Sequence, residues 1–327
     1  MSNLRVGLIG LGMMGQHHAR VLSTLEDIDF VGVCDPAGDP NSKAQGRKIV
    51  KSVEQLIEMK IDYAMVAVPT VYHLEIGLAL ANAGIHALIE KPLAQDLESA
   101  QKLAHAFNTA GLVGAVGYIE RFNPALQEAR KRIDQLGTLH QIATRRQGPF
   151  PARISDVGVV KDLATHDVDL TVWVTGQKYT NVSARTSYKS GREFEDMVAI
   201  VATLNGGTIA NHLVNWLSPI KERMTILTGE KGSFVADTVT ADLTFYANGN
   251  VSTDWDAISR FRGVSEGDVT RYAFPKKEPL RLEHENFRDV ILGKKSEIVS
   301  MDEGLETVKI VEAILTSAQT GKTVEIK

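Results

Sequence analysis

The chain has 327 residues, 43% of them hydrophobic, and its 36 basic and 40 acidic side chains give a net charge of −4. That length exceeds the usual size of one hydrophobic core, so we expect two domains. The balanced charge disfavours a protein that binds nucleic acid or a membrane surface, and we expect neither partner. Since no apolar stretch is long enough to span a bilayer and no signal peptide precedes the first predicted strand, we expect a cytoplasmic protein.

Short apolar runs alternate with helical patterns from residue 4 to about residue 118. This alternation is typical of an α/β fold with a doubly wound parallel sheet, which we assign to residues 1–119. The predicted strands are residues 5–9, 30–34, 63–68, 86–89 and 112–116. The predicted helices are residues 15–22, 53–58, 72–83 and 97–108.

The pattern changes beyond about residue 137, where hydrophobic and polar residues alternate. The strands predicted there are residues 139–146, 181–188, 197–204, 208–216, 222–229, 233–237 and 243–246, followed by helices at 282–292 and 302–318. Turn sequences such as Asn205-Gly206-Gly207 favour hairpins between them. We therefore assign residues 120–327 to an α+β domain with a large, mostly antiparallel open sheet. Its uncovered face predicts a homodimer or homotetramer.

A glycine-rich turn, Gly10-Leu11-Gly12-Met13-Met14-Gly15, lies where the first predicted strand meets the first helix. This pattern is typical of a turn that binds a dinucleotide pyrophosphate, and an ordinary tight turn is the alternative. Gly10 would allow the tight geometry, Gly12 would let the backbone approach the phosphates, and Gly15 would let helix and strand pack closely.

Asp35 directly follows the second predicted strand, twenty residues past Gly15. A carboxylate at this position accepts hydrogen bonds from the ribose hydroxyls of an adenosine. It would also repel the 2′-phosphate of NADP, and no Lys or Arg follows it before Lys43. The sequence therefore predicts NAD as the cofactor.

Three residues have the chemistry for proton transfer. Lys91 follows the strand at 86–89, at the edge of a parallel sheet where ligands bind, although a solvated loop lysine is the alternative. Asp162 and His166 are four residues apart in a helical pattern, so they share a face and suit a general base oriented by a carboxylate. The alternatives are ordinary helix residues or metal ligands. We predict no metal site, because there is no HExxH or CxxC pattern and the neighbours His17 and His18 would point apart.

Together, these features resemble the glucose-fructose oxidoreductase, inositol dehydrogenase and MocA family of NAD(P)-dependent enzymes. The matching motifs are the glycine turn, Pro69-Thr70 with His73, Glu90-Lys91-Pro92, and Asp162 with His166. The resemblance implies a Rossmann domain with a sheet domain, hydride transfer from a sugar or cyclitol carbinol, and Lys91 with His166 as the catalytic pair supported by Asp162. The cofactor contacts that it implies beyond the glycines and Asp35 are Met13, Met14, Pro69, Thr70, His73, Glu90 and Lys91.

Residues 120–124 and 146–160 resemble members of the family that oxidise the 3-hydroxyl of UDP-N-acetylglucosamine or a related UDP-sugar. The substrate contacts implied in this way are Lys91, Arg121, Asn123, Arg153, Asp162 and His166. Arg153, with whichever of the strand neighbours Arg145 and Arg146 faces the ligand, would supply guanidinium groups to a diphosphate. The alternatives are an inositol or free-sugar dehydrogenase, and a regulator that senses NAD or a sugar without turnover.

Overall fold

A computed structural model describes residues 3–151, 157–249 and 265–326. It divides the chain into two compact units, each discontinuous in sequence. The first contains Met1–Ile119 and Glu278–Lys309, and the second contains Glu120–Lys277 and Ile310–Lys327. The sequence predicts a single boundary after residue 119. The structure differs in one respect, because it groups Glu278–Lys309 with the N-terminal part of the chain.

The first unit is built on a six-stranded parallel sheet, in the order β3-β2-β1-β4-β5-β6. Its strands are β1 (Leu4–Ile9), β2 (Ile28–Cys34), β3 (Lys48–Val50), β4 (Tyr63–Val66), β5 (His86–Glu90) and β6 (Gly114–Gly117). Its N-terminal helices are α1 (Met13–Leu22), α2 (Val53–Ile57), α3 (His73–Asn82) and α4 (Leu97–Thr109). The predicted doubly wound parallel sheet is confirmed.

The central strands of this sheet are apolar because helices cover both of its faces. Every residue of β4 is buried, and Val6 and Leu8 of β1 have no exposed surface. Helix α4 begins at Asp96, whose side chain accepts a hydrogen bond from the backbone N–H of Ser99 at 2.8 Å. That cap satisfies one of the N–H groups that a helix leaves open at its start.

A C-terminal helix, α7, completes the first unit. It runs over Pro279–Ile291, and its residue Phe287 is fully buried. The Phe287 ring packs edge-on against Tyr63 of β4, with the ring centroids 5.4 Å apart. Distant parts of the sequence therefore share one hydrophobic core.

The second unit is built on a nine-stranded sheet, in the order β14-β13-β12-β11-β7-β10-β9-β8-β15. Its strands are β7 (Leu139–Pro149), β8 (Tyr179–Ser187), β9 (Met197–Leu204), β10 (Ile209–Asn215), β11 (Leu217–Gly229), β12 (Gly232–Asp237), β13 (Asp242–Gly249), β14 (Ser265–Arg271) and β15 (Val324–Glu325). All neighbouring strands are antiparallel except β7 and β10, which are parallel. This confirms the predicted, mostly antiparallel sheet.

Helices of the second unit cover one face of this sheet. Helix α5 spans Pro124–Lys131, and helix α6 spans Thr165–Thr175 directly after a π-helical turn at Val160–Ala164. The last helix, α8 (Met301–Thr320), has its first residues in the first unit and the others in the second. Among the described helices, none combines the length and hydropathy needed to cross a bilayer.

We expect Phe287→Ala to lower the free energy of unfolding by about 3–5 kcal/mol, because it leaves a cavity beside Tyr63. The matched control is Glu285→Ala on the same helix, a partly exposed position where the change should stay within about 0.5 kcal/mol. Urea unfolding of the full chain, followed by circular dichroism, measures both values. Equal stability of the two variants would show that α7 does not support the first unit.

Candidate active site

The glycine turn joins β1 to α1, and two of its glycines are required by contacts with backbone. Gly10 has a φ of +91°, and a Cβ there would lie 2.4 Å from the carbonyl oxygen of Ala67. A Cβ on Gly15 would lie 2.1 Å from the carbonyl oxygen of Gly10. Any side chain at Gly15 would therefore push α1 away from the end of β1.

Gly12, at the start of α1, has open space where a side chain would stand. A Cβ there would meet no heavy atom of the described residues within 4 Å. Helix α1 has no side-chain cap among the described residues and no acidic residue in its first turn. The open backbone N–H groups and the positive end of the helix dipole fit an anion such as a pyrophosphate. Met13 beside them is 52% exposed, and Met14 is half-buried.

Asp35 organises the same loop. One of its carboxylate oxygens accepts a hydrogen bond from the backbone N–H of Leu11 at 2.7 Å, and the other accepts one from Ala37 at 2.8 Å. An ionised carboxylate has about four acceptor positions, so these bonds leave capacity for ribose hydroxyls. Asp35 is thus held at the carboxyl end of β2 in the place expected for a residue that binds adenosine.

His73 braces two loops at the same edge of the parallel sheet. It is 1% exposed, and its Nδ1 and Nε2 lie 3.0 Å and 3.1 Å from the carbonyl oxygens of Pro92 and Val68. Burial lowers the pKa of His73 despite these hydrogen bonds, so a neutral imidazole donates through one nitrogen at a time. The described partners of His73 are therefore backbone carbonyl groups in the loops that carry Lys91 and Thr70. Direct contact of His73 with the cofactor stays a prediction. Pro69 is exposed and Thr70 is half-buried.

Glu90 and Lys91 stand at the carboxyl end of β5. Glu90 accepts a hydrogen bond from the backbone N–H of Lys91 at 3.2 Å, and its other oxygen lies 2.8 Å from Nε2 of His18. Burial opposes ionisation of Glu90, but the hydrogen bond and charge of His18, with the charge of Lys91, outweigh it and lower the pKa of Glu90. The end of β5 therefore carries a buried anion beside the Lys91 side chain, which is half-buried.

Asp162 and His166 lie in the second unit, 5% and 8% exposed. The sequence predicts one regular helix here, but Val160–Ala164 form a π-helical turn before α6 begins. Such turns are rare and frequently occur at functional sites. The backbone N–H of Val160, at the start of the turn, donates to the buried carboxylate of Glu195 at 3.0 Å.

Two buried ion pairs hold α6 in place. Arg146 of β7 donates to Asp167 at 3.0 Å and to Glu120 at 2.7 Å. Arg121 donates through two nitrogens to both oxygens of Asp169, at 2.8 Å and 2.6 Å. Burial raises the pKa of Asp167, and the charge of Arg146 offsets part of that rise. Both arginines are less than 7% exposed, so the ion pairs anchor the helix that carries His166.

These contacts change the interpretation of the arginines and of Asn123. The sequence assigned Arg121 to the substrate and gave Arg146 a possible place on a diphosphate, but the described partners of both are protein carboxylates. Asn123 is 7% exposed and caps α5, while its Nδ2 donates to the carbonyl oxygen of Thr238 at 2.9 Å. Substrate contacts by these residues stay predictions. Arg145 is exposed and pairs with Glu222 at 3.4 Å, and Arg153 lies outside the described residues.

Sequence reasoning missed two groups of residues. His18 was considered only as a metal ligand, although it contacts Glu90, and within the described residues no set of three or more metal-binding side chains converges. Asp167 and Asp169 were not assigned a role. The sequence carries one signal for them, because the helix pattern has apolar residues on most of its sides and still contains these two carboxylates. Carboxylates buried in such a helix need a cationic partner.

Fold and glycine turn define a protein with a dinucleotide-binding Rossmann unit and a second unit built on an open sheet. The profile described as "Oxidoreductase family, NAD-binding Rossmann fold" matches residues 4–118, and that of the GFO/IDH/MocA C-terminal domain matches residues 126–235. The chain therefore belongs to the glucose-fructose oxidoreductase, inositol dehydrogenase and MocA family, and its cofactor is NAD.

Named relatives differ in substrate. UDP-N-acetylglucosamine 3-dehydrogenase of Acidithiobacillus ferrooxidans is 32% identical over 214 residues, which are 64% of this chain and 66% of that protein. The scyllo-inositol 2-dehydrogenase (NAD+) of Bacillus subtilis strain 168 is 31% identical over 192 residues, 55% of this chain and 56% of that protein. These alignments thus span no more than 66% of either relative. A solved structure of the Acidithiobacillus enzyme gives a TM-score of 0.85 at 25% identity, covering 98% of this chain and 99% of that one.

We expect this protein to bind NAD at least tenfold more tightly than NADP, about 1.4 kcal/mol, because the Asp35 carboxylate repels a 2′-phosphate. Asp35→Ser should narrow that ratio by weakening NAD and removing the repulsion. Asp39→Ser is a matched control, since Asp39 also accepts backbone hydrogen bonds, at 2.7 Å and 2.8 Å, further along the same loop between β2 and β3. Calorimetric titration with both cofactors measures the ratio, and equal affinities in the unmodified protein would contradict the assignment.

Proposed function

We propose that this protein is an NAD-dependent dehydrogenase that oxidises a secondary hydroxyl of a sugar, with UDP-N-acetylglucosamine or a related UDP-sugar as substrate. The observation that carries the reaction type is the presence of both Lys91 and His166 in a chain with an NAD-binding unit. A regulator that only senses NAD or a sugar has no need of a residue pair suited to proton transfer. The similarity to a UDP-N-acetylglucosamine 3-dehydrogenase supports the substrate.

The chain supplies the proton chemistry of the proposed reaction. Bound NAD supplies a hydride acceptor at nicotinamide C4. Lys91 donates a hydrogen bond to the oxygen of the reacting hydroxyl, and His166 takes the proton of that hydroxyl. The hydride leaves from the carbon that carries it. An imidazole suits this role because its ordinary pKa of about 6.5 lies close to neutral pH.

Asp162 and the two ion pairs position His166 in this proposal. Asp162 contacts the substrate and supports His166 from the π-helical turn. Arg146 and Arg121 fix the helix behind it through Asp167 and Asp169. Because a misplacement of about 1 Å at a reacting group can cost about a hundredfold in rate, anchoring of α6 matters to the reaction.

Inositol or a free sugar is the second candidate substrate. The similarity to scyllo-inositol 2-dehydrogenase favours it at nearly the same identity. The ion pairs of Arg121 and Arg146 also favour it, since they occupy two guanidinium groups that a diphosphate would use. The UDP-sugar proposal therefore depends on Arg153 and on Arg145.

A homodimer or homotetramer is part of the proposal, and the open face of the nine-stranded sheet supports it. Pairing registers place six partly exposed apolar side chains on that one face: Val201, Ile209, Leu213, Ile226, Tyr246 and Val269. An apolar face of this kind gains stability when a second copy covers it. We also propose a cytoplasmic location, since a chain with one cysteine, Cys34, forms no internal disulfide and needs no oxidising compartment to fold.

Replacing either residue of the proposed catalytic pair should slow turnover. We expect His166→Ala and Lys91→Ala each to lower kcat about a hundredfold or more, the scale of general acid–base groups, while the affinity for NAD stays largely unchanged. Steady-state NADH formation and calorimetry measure the two quantities. Near-normal turnover in both variants would leave only a regulator or a different active site.

Competition by UDP separates the two substrate classes. If a diphosphate is bound, UDP should inhibit the enzyme and Arg153→Ala should weaken UDP-sugar binding by about 1.5–3 kcal/mol. The control is Arg271→Ala, an exposed arginine on β14 whose loss should leave binding unchanged. A panel of UDP-sugars, free sugars and inositols, scored by NADH formation, identifies the substrate. Turnover of inositol with no effect of UDP at millimolar concentration would contradict the UDP-sugar proposal.

A further inference from the structure

A buried chain of hydrogen bonds links three elements of the first unit. Nε2 of His18, on α1, lies 2.8 Å from Oε1 of Glu90, and Nδ1 of the same ring lies 2.8 Å from Nε2 of His284 on α7. Both histidines have no exposed surface, and Glu90 is 9% exposed. The imidazole rings meet edge to face, with centroids 5.1 Å apart. This series of hydrogen bonds takes no part in the proton transfer assigned to Lys91 and His166.

The ionised carboxylate fixes the direction of one hydrogen bond in this series, because it can only accept. Ionised Glu90 accepts from His18 Nε2–H, and a single proton is shared between His18 Nδ1 and His284 Nε2. Burial, and then the charge of His18, lower the pKa of His284 well below the ordinary value, so His284 carries a single ring proton. The proton on His18 Nε2 therefore points towards the carboxylate of Glu90, and His284 holds the other nitrogen of that ring in place.

Other ionisable groups facing Glu90 leave it as an anion. Burial, and then the charge of Glu90, raise the pKa of Glu283 on α7 well above the ordinary value, so Glu283 stays neutral. His73 on α3 is neutral as well, because burial lowers its pKa. Lys91 supplies a positive charge. Glu90 thus carries the negative charge of this cluster.

The strand order indicates which end of NAD lies near this anion. Asp35, the residue expected to hold the adenosine ribose, directly follows β2 on one side of β1, and Glu90 ends β5 on the other side. A dinucleotide bound across the glycine turn extends its nicotinamide half towards β4 and β5. The nicotinamide ring is a cation in NAD+ and neutral in NADH, so an anion on that side distinguishes the two oxidation states.

We propose that His18 and His284 are positioning residues that keep Glu90 an anion, and that this anion makes the protein prefer NAD+ over NADH. The inference deepens the proposed function and rests on it for the direction in which the cofactor lies. It also gives an oxidising dehydrogenase a means of releasing its reduced cofactor, because the attraction weakens when the ring loses its charge.

This inference is tested by measuring the dissociation constants of NAD+ and NADH by calorimetry from about pH 6 to about pH 9. The whole of this range lies above the ordinary carboxyl pKa of about 4.3. A lowered pKa means that the Glu90 charge is complete across this range and is lost only at lower pH. The unmodified protein should therefore keep a constant ratio of the two constants. Glu90→Gln should lower the preference for NAD+ about tenfold at every pH, the order expected for loss of one partly buried charge.

His18→Leu should behave differently from Glu90→Gln. Without the hydrogen bond, burial acts on Glu90 with less opposition and raises its pKa, so the preference should fall near neutral pH and return as the pH rises. His17→Leu is the matched control, since His17 is the exposed neighbour on the same helix, and its ratio should not change. In the double variant with Glu90→Gln, His18→Leu should have no further effect on the ratio.

A structural role alone would give another result. If His18→Leu weakens NAD+ and NADH equally at every pH, or if Glu90→Gln keeps the original ratio, the inference is wrong. Should His18→Leu fail to fold, His18→Gln and His284→Leu replace it: Gln keeps a donor and an acceptor and should preserve the ratio, whereas His284→Leu should lower it near neutral pH. An unchanged ratio in His284→Leu would overturn the role of the chain. These measurements need no sugar, so absence of turnover on any sugar would defeat the proposed function separately.

Discussion

The close approach of α1 to the end of β1 is the constraint on which the first unit depends. Because a Cβ at Gly15 would lie 2.1 Å from a backbone oxygen of Gly10, the helix can sit there only without a side chain. That approach aims the start of α1 at the carboxyl edge of the sheet. It also brings His18, one turn further along, within 2.8 Å of Glu90. One backbone contact thus positions both the glycine turn and the histidine that contacts Glu90.

Much of this architecture follows from local sequence patterns. The glycine turn, Asp35 and the apolar strands were predictable because each depends on neighbours in sequence. Short edge strands such as β3 and β15 were missed because two or three residues carry no periodic signal. Helix α5 was missed, although Asn123 followed by Pro124 is a typical helix start. The chain folds α7 into the first unit through packing of Phe287, which no local pattern predicts.

The candidate site shows the same division. Lys91, Asp162 and His166 are recognisable as chemical groups at informative positions, but the partners of the arginines are not. Arg121 and Arg146 bind carboxylates that are 48 and 21 residues away. A sequence pattern gives the charge of an arginine and leaves its partner undetermined. Buried ion pairs add little net stability, yet loss of one partner is strongly destabilising. Their value here is the fixed orientation of α6.

The discontinuity of the first unit has a consequence for biosynthesis. Residues Glu278–Lys309 carry Phe287 and His284, and they are translated after more than four fifths of the chain. Until then, Tyr63 lacks its aromatic neighbour and His18 lacks the second histidine. Domains generally fold as units during synthesis, starting from the N-terminus. In this protein the NAD-binding unit therefore becomes complete only near the end of translation, after the whole nine-stranded sheet except β15 has been made.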